Sequence, residues 1–278
     1  MTTRTRRFHT GRRLTVVLTG CTLICLAAPA HALPSVDLVL KQARITMSPT
    51  AVQGYGSVVH VSFRVHNTGP DPIPGSFRVA VYYGDNTSTS SLTEIYSTTM
   101  ANMPGNSVSS NITASPTMPD NVLYGGRYLH VRIDVDSEVS ETDEMNNDSQ
   151  HMFNITGRPD VQVTTLSCSP ETIPQGGTAT MTQRVYNAGY SRISGTFSNR
   201  VYFSNDSYIS TADAPLETLS TPPLNARSYY PSTTNGTVSV MVPASASPGT
   251  RYFGMYADYA NQCVEHNEAN NTRAHSFY

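Results

Sequence analysis

Residues 136 to 147, "DSEVSETDEMNN", crowd five carboxylates and two adjacent asparagines into twelve positions, and "NQCVEHNEANN" at 261 to 271 repeats their ending. Clustered carboxylates of this kind support three chemistries. Asp134, Asp136, Glu141 and Glu144, joined in the second copy by Asp258, Glu265 and Glu268, offer hard oxygen ligands for calcium, which takes six to eight of them. Asp134, Asp136 and Glu138 mimic the opening of an EF-hand. The glycine that loop requires is missing, and a strand precedes it, so only a calcium site at the end of a β-sandwich stays open. The second copy weakens that reading, because Asp136 becomes Ala260, Glu138 becomes Gln262 and Asp143 becomes Asn267.

The second chemistry is structural. Glu141 and Glu144 persist as Glu265 and Glu268, and Asn146 and Asn147 persist as Asn270 and Asn271. Asparagine side chains bond nearby backbone and hold turns, and carboxylates accept loop N–H groups in the same way. This reading explains which positions are retained and is preferred. The third is acid–base hydrolysis by paired carboxylates. The Glu141–Glu144 spacing is too local to define a cleft, the chain has no Trp, and the sequence contains no G-x-S-x-G, H-E-x-x-H or Cys–His pattern. A non-enzyme is therefore expected.

The elements that must position these residues come from a duplication. Residues 125–147 align without a gap on 249–271, and "RVHNTGPDPIPGSFRVAVYY" (64–83) aligns without a gap on "RVYNAGYSRISGTFSNRVYF" (184–203). A period this long indicates two whole domains, since solenoid repeats are far shorter. Within each unit the hydrophobic period is two. Val59, Val61, Phe63 and Val65 alternate with polar residues, as do Phe77, Val79, Val81 and Tyr83, then Leu129, Val131 and Ile133. That marks strands with one buried and one wet face. Turn-forming stretches such as "NTGPDPIPG" separate them, and no helical stretch intervenes. The expected fold is all-β: two tandem immunoglobulin-like, seven-stranded β-sandwiches.

The first 32 residues stand apart. Five arginines, an apolar run and "AHA" at 30–32 form a secretory signal, so the expected divisions are 1–32, 33–156 and 157–278. The run is too short to span a membrane and no other candidate span follows. Leu18-Thr19-Gly20-Cys21 looks like a lipobox, and a lipid-anchored Cys21 is the alternative to release outside the cell. After the signal, thirteen of the 18 basic residues remain against 20 acids, a net charge close to −7, and Lys41 is the one lysine. No basic patch survives, so nucleic acid is not an expected partner. Cys168 and Cys263 remain, and an oxidising compartment predicts a disulfide between them. Cys168 lies late in a first strand and Cys263 between the last two, so the bond requires that loop to fold back along the edge. Two core-phase positions also change character: Phe63 becomes Gln183 and Val79 becomes Asn199. Buried amides need partners, and the pair is expected to bond one another or a water.

"PDVQV", "RVYNAG", "VYFSNDSYISTADAPLETL", "VPASASPGTRYFG" and "ADYANQCVEHNEANN" together resemble CARDB modules, the cell-adhesion-related domain found in bacteria, and both copies resemble them over nearly the whole mature chain. The resemblance implies an Ig-like sandwich, secretion or surface exposure, an adhesive role and no catalytic residue. The expected function is non-catalytic extracellular recognition of a protein or polysaccharide. A calcium-dependent carbohydrate-binding module is the alternative, with a structural spacer or surface lipoprotein as a third.

Overall fold

The computed structural model describes residues 35–40 and 45–278. The expected signal sequence and Cys21 lie outside them. Every regular element among the described residues is a β-strand.

In the first repeat one layer pairs Leu38–Leu40 with Val65–Asn67 and Ser107–Val108, and continues as Thr46–Ser48, His60–Phe63 and Ile112–Ala114. The facing sheet runs Ala51–Val52, Asp148–Ile155, Gly125–Ile133, Ile73–Gly84 and Thr93–Met103. The second repeat has the same plan. Val161–Ser169 pairs with Thr178–Asn187, which also pairs with Tyr229–Tyr230 and Gly236–Met241. The other sheet runs Ala214–Thr221, Phe197–Ser204, Arg251–Tyr256 and Thr272–Phe277.

The period-two residues supply the cores. Phe63, Phe77, Val79, Val81, Leu129 and Val131 are buried in one, and Val161, Met181, Val185, Phe197, Val201, Phe253 and Phe277 in the other. Burying one side of each sheet against its partner removes most of this apolar area from water, which is the main favourable term in each repeat. Three polar residues break the alternation: His130, Gln183 and Asn199. His130, on the phase expected to face water, is fully buried. The 85–92 loop folds over it: Gly84 leaves room for the ring, and His130 Nε2 lies 3.1 Å from the Asn86 carbonyl. In the second repeat Gly254 stands there instead, and Ile209 fills the space above it.

Gln183 and Asn199 do not bond one another. Asn199 donates to Thr221 Oγ1 at 2.7 Å and accepts from the Asp258 N–H at 3.1 Å. The two residues lie on strands of opposite sheets, and Asn199 is satisfied within its own. Gln183 is 8% exposed and its Oε1 has no partner.

The strands of the two repeats stop at either side of residues 156–160. Thr156 and Gly157 donate to the carbonyls of Val52 and Gln53. Beyond them Tyr55 N–H donates to Tyr190 O at 2.9 Å, Arg192 N–H to Val122 O at 2.6 Å and Ala226 N–H to Asp120 O at 2.8 Å.

Candidate functional site

In each repeat the acidic loop follows the strand that begins at the "G-x-R-Y" turn. Its first carboxylate sits where the backbone turns into the left-handed region, Asp134 at φ 48° and Asp258 at φ 49°. Aspartate tolerates that conformation because its short side chain can bond locally. Asp134 accepts the N–H groups of Glu138 and Val139 at 2.8 and 3.0 Å, and Asp258 those of Gln262 and Cys263 at 2.9 and 2.8 Å. Each aspartate thus closes the first half of its loop.

The glutamates close the second half. Glu144 Oε1 accepts the Glu141 N–H at 3.0 Å, and Glu268 Oε1 accepts the Glu265 N–H at 2.9 Å. Glu141 then reaches across to the first strand and accepts the Leu38 N–H through Oε2 at 2.5 Å, while its Oε1 accepts from Asn147 Nδ2 at 2.8 Å. Glu265 accepts the Val161 N–H and Asn271 Nδ2 in the same way. Asn146 donates to Asp37 at 2.8 Å and Asn270 to Asp160 at 2.9 Å. The N-x-G turn completes the strap. Asn187 is fully buried; its Oδ1 accepts from Asp160 and Gly189, and its Nδ2 donates to the carbonyls of Ser191, Leu224 and Asn225. Asn67 does the same work in the first repeat.

Burial outweighs these bonds in the proton balance. It pushes the Glu141 carboxyl up to about 7 and Glu265 to about 8, against the pull of the backbone and asparagine donors. Burial likewise raises Asp258.

The residues expected to hold calcium do not all meet. Asp134, Glu141 and Glu144 bring one oxygen each within 4.8 Å of one another, and among the described residues no other acidic group converges as closely. Asp258, Glu265 and Glu268 make the equivalent bonds to the Cys263, Val161 and Glu265 N–H groups but do not bring an oxygen each to within that distance. Asp136 is outside the cluster altogether. It pairs with Arg78 at 2.7 Å, and Arg78 also reaches Glu94 at 2.8 Å. The hydrogen-bonded guanidinium holds Asp136 and Glu94 below their ordinary range. Arg78 was not singled out from the sequence because nothing local marks it: it lies 58 residues from Asp136.

The disulfide is also corrected. Cys168 and Cys263 are separate, buried thiols. Glu265 bonds the start of the first strand at Val161, so Cys263, two residues away, sits at that end. Cys168 lies seven residues further along the same strand, about 23 Å at the usual rise per residue. A bridge needs Cα atoms within about 7 Å. Burial, with Asp258 and Glu265 nearby, keeps the Cys263 thiol protonated well above its ordinary range, and Cys168 lies against Pro170 O.

The loop 205–213 of the second repeat also carries two aspartates, and both are spent on its own turns, Asp206 accepting from Tyr208 N–H and Asp213 from Ser210 N–H. No helix among the described residues is long and apolar enough to cross a membrane.

No curated protein matches this chain at a significant level. Solved structures do. The CARDB domain of the PF1109 protein from Pyrococcus furiosus, crystallised in complex with di-metal ions, is 21% identical, spans 44% of this chain and 96% of its own, and has a TM-score of 0.31. The solution structure of the same domain is 21% identical over 45% of this chain and 98% of its own, at a TM-score of 0.33. A domain of a candidate cell surface protein from Methanosarcina acetivorans is 19% identical over 43% and 90%, at 0.31. The CARDB family model matches residues 35–151 and again 158–275, so the chain belongs to the CARDB family and carries its module twice.

Proposed function

We propose that this chain is a secreted, non-catalytic recognition protein: after removal of a signal at 1–32, two modules, 33–156 and 157–278, present loops and sheet edges to an extracellular protein or polysaccharide. The observation that carries this reading is the matched bonding of the two acidic loops. In both modules one glutamate of the acidic loop accepts an N–H of the module's own first strand, and the aspartate and second glutamate accept N–H groups of the loop itself. Recognition then falls to surfaces the scaffold leaves open.

The most open of these is the edge strand Thr93–Met103, which among the described residues pairs on one side only, with Ile73–Gly84. It runs eleven residues with Glu94 as its single charge and no proline. Edges of this kind accept an added strand from a partner unless a charge or proline blocks them. The Ala214–Thr221 edge of the second module is protected by Pro215 and Glu217. The test is capture of the partner from a cell surface by the full chain and by the double variant Ser97→Lys, Thr99→Lys, whose side chains are exposed. Loss of capture at an unchanged melting temperature is expected; undiminished capture would remove the edge from the reading.

Calcium is the second reading, supported by the approach of Asp134, Glu141 and Glu144 within 4.8 Å. A ligand that binds only the folded state raises the melting point. A melting curve in calcium that coincides with one in chelator would end this reading.

A further inference from the structure

We propose that His130 is a proton-operated latch: as an imidazolium it ties the 85–92 loop to the outer face of the first module's five-stranded sheet, and on losing that proton it lets the loop go. The latch belongs to the first module alone. Its consequence for the edge strand Thr93–Met103, into which the loop runs, rests on the recognition reading above.

The geometry of the ring carries the proposal. His130 lies within Gly125–Ile133, opposite Tyr82 on one neighbouring strand and Gln150 on the other, and is fully buried. Its Nε2 is 3.1 Å from the Asn86 carbonyl and its Nδ1 is 3.4 Å from Asp148 Oδ2. A carbonyl and an ionised carboxylate can only accept. A neutral imidazole has one N–H and would turn a lone pair on one of them; the imidazolium donates to both. Among the described residues the Asp148 carboxylate has no other partner. The fit is close on the third side as well, since a Cβ on Gly84 would stand 3.1 Å from the ring.

The other charges nearby are engaged elsewhere. Arg132, two residues along the same strand, lies 6.0 Å from the centre of the Tyr82 ring. Asp85, the loop's one charge, accepts from the Tyr83 hydroxyl, and Glu94, opposite Tyr82, pairs with Arg78. Burial and Arg132 favour the neutral ring, but Asp148 and the Asn86 carbonyl outweigh them and raise His130 above its ordinary 6.5. The stabilisation is therefore complete below 6.5 and lost as pH rises through the raised value. The Nε2 proton then passes to solvent, and the remaining proton stays with the carboxylate, the stronger acceptor. The Nε2 lone pair faces the Asn86 carbonyl, and the loop is left held by the bond from Gln150 Nε2 to Thr87 O at 2.9 Å. The second module has the loop without the latch: Gly254 stands in place of the ring, and Ile209 fills the space above it.

The experiment is an NMR titration of the full mature chain from pH 6 to 8.5, with the His130 ring assigned by its loss in His130→Gln. At pH 6 both ring nitrogens should carry protons. As the ring titrates, order parameters of amides 86–91 should fall from about 0.85 towards about 0.6, while those of 206–212 in the second module stay level. Asp148→Asn, which can donate as well as accept, should lower the ring midpoint and the loop transition together by about one pH unit. A neutral His130 in the folded chain at pH 6 would overturn the proposal. So would loop order that ignores the ring's titration, or a loop transition that stays put when Asp148→Asn moves the ring. Loop order is read without a partner, so a failed capture by the edge strand leaves the latch standing, and a loop indifferent to pH leaves the recognition reading standing.

Discussion

Asn187 illustrates how much one side chain can hold. Fully buried, it satisfies two backbone donors and three backbone carbonyls at the point where the first strand, the N-x-G turn and the 224–225 turn meet. Alanine would leave those groups without partners, and the penalty for orphaned buried groups is about 1–3 kcal/mol apiece before relaxation. Asn187→Ala should cost at least about 3 kcal/mol, read as a shift in the urea midpoint at constant slope. Glu265 adds a pH signature. Its folded carboxyl titrates near 8 against an ordinary 4.5. Below 4.5 both states hold the proton; between 4.5 and 8 the unfolded chain has released it and the folded chain has not. Stability therefore falls as pH rises through that window, by on the order of 5 kcal/mol in total. Melting temperature measured from pH 5 to 8 should decline, and Glu265→Gln should flatten the decline whatever it does to the absolute value. At this scale the retained glutamates and asparagines were legible because two copies could be compared. Arg78 was not, since its partners Glu94 and Asp136 lie 16 and 58 residues away in the chain.

At the scale of elements, the period-two pattern placed the core strands, and Phe77, Val79, Val81, Leu129 and Val131 are buried as that pattern requires. It failed where a loop covered the wet face, as over His130, because alternation describes a strand and its sheet but not what folds on top of them. Gln183 is the second exception. Its Oε1 is buried without a partner in the strand Thr178–Asn187, where the first module has Phe63. Replacing an unsatisfied buried amide by an apolar side chain removes a desolvation cost, so Gln183→Leu should raise stability by about 1 kcal/mol, measured by thermal melting. A lower melting temperature would mean that the Nε2 end of Gln183 contributes more than its orphaned oxygen costs. The N-x-G turn is the element most exposed to a single methyl group. A Cβ on Gly189 would lie 2.3 Å from Arg158 O, and one on Gly69 1.9 Å from Ser35 O. Glycine is needed there for close approach of the turn to the first strand, which explains its presence in both copies.

At the scale of the whole described chain, the two modules are joined by backbone bonds as well as by the short connection. Gly54 carries that junction: its φ is +133°, and a Cβ there would stand 2.3 Å from Tyr190 O. Gly54→Ala should break the Tyr55–Tyr190 bond and loosen the junction, so that calorimetry resolves two melting transitions where the parent chain is expected to show one. Transitions that remain superimposed would show that the connection at 156–160 suffices to couple them.

The sequence by itself determined the strand content, the duplication and the membership of the acidic loops in the scaffold. Each of these is written in sequence pattern: period two, gapless self-alignment, and glutamates and asparagines kept at matching places in both copies. The tertiary structure alone decided which carboxylates converge, that Asp136 leaves the cluster for Arg78, and that the two cysteines stand at opposite ends of one strand. Those outcomes depend on which sheet each strand joins and which end of it faces a neighbour, and such long-range pairings are set by packing the two layers together, not by the order of residues within any one strand.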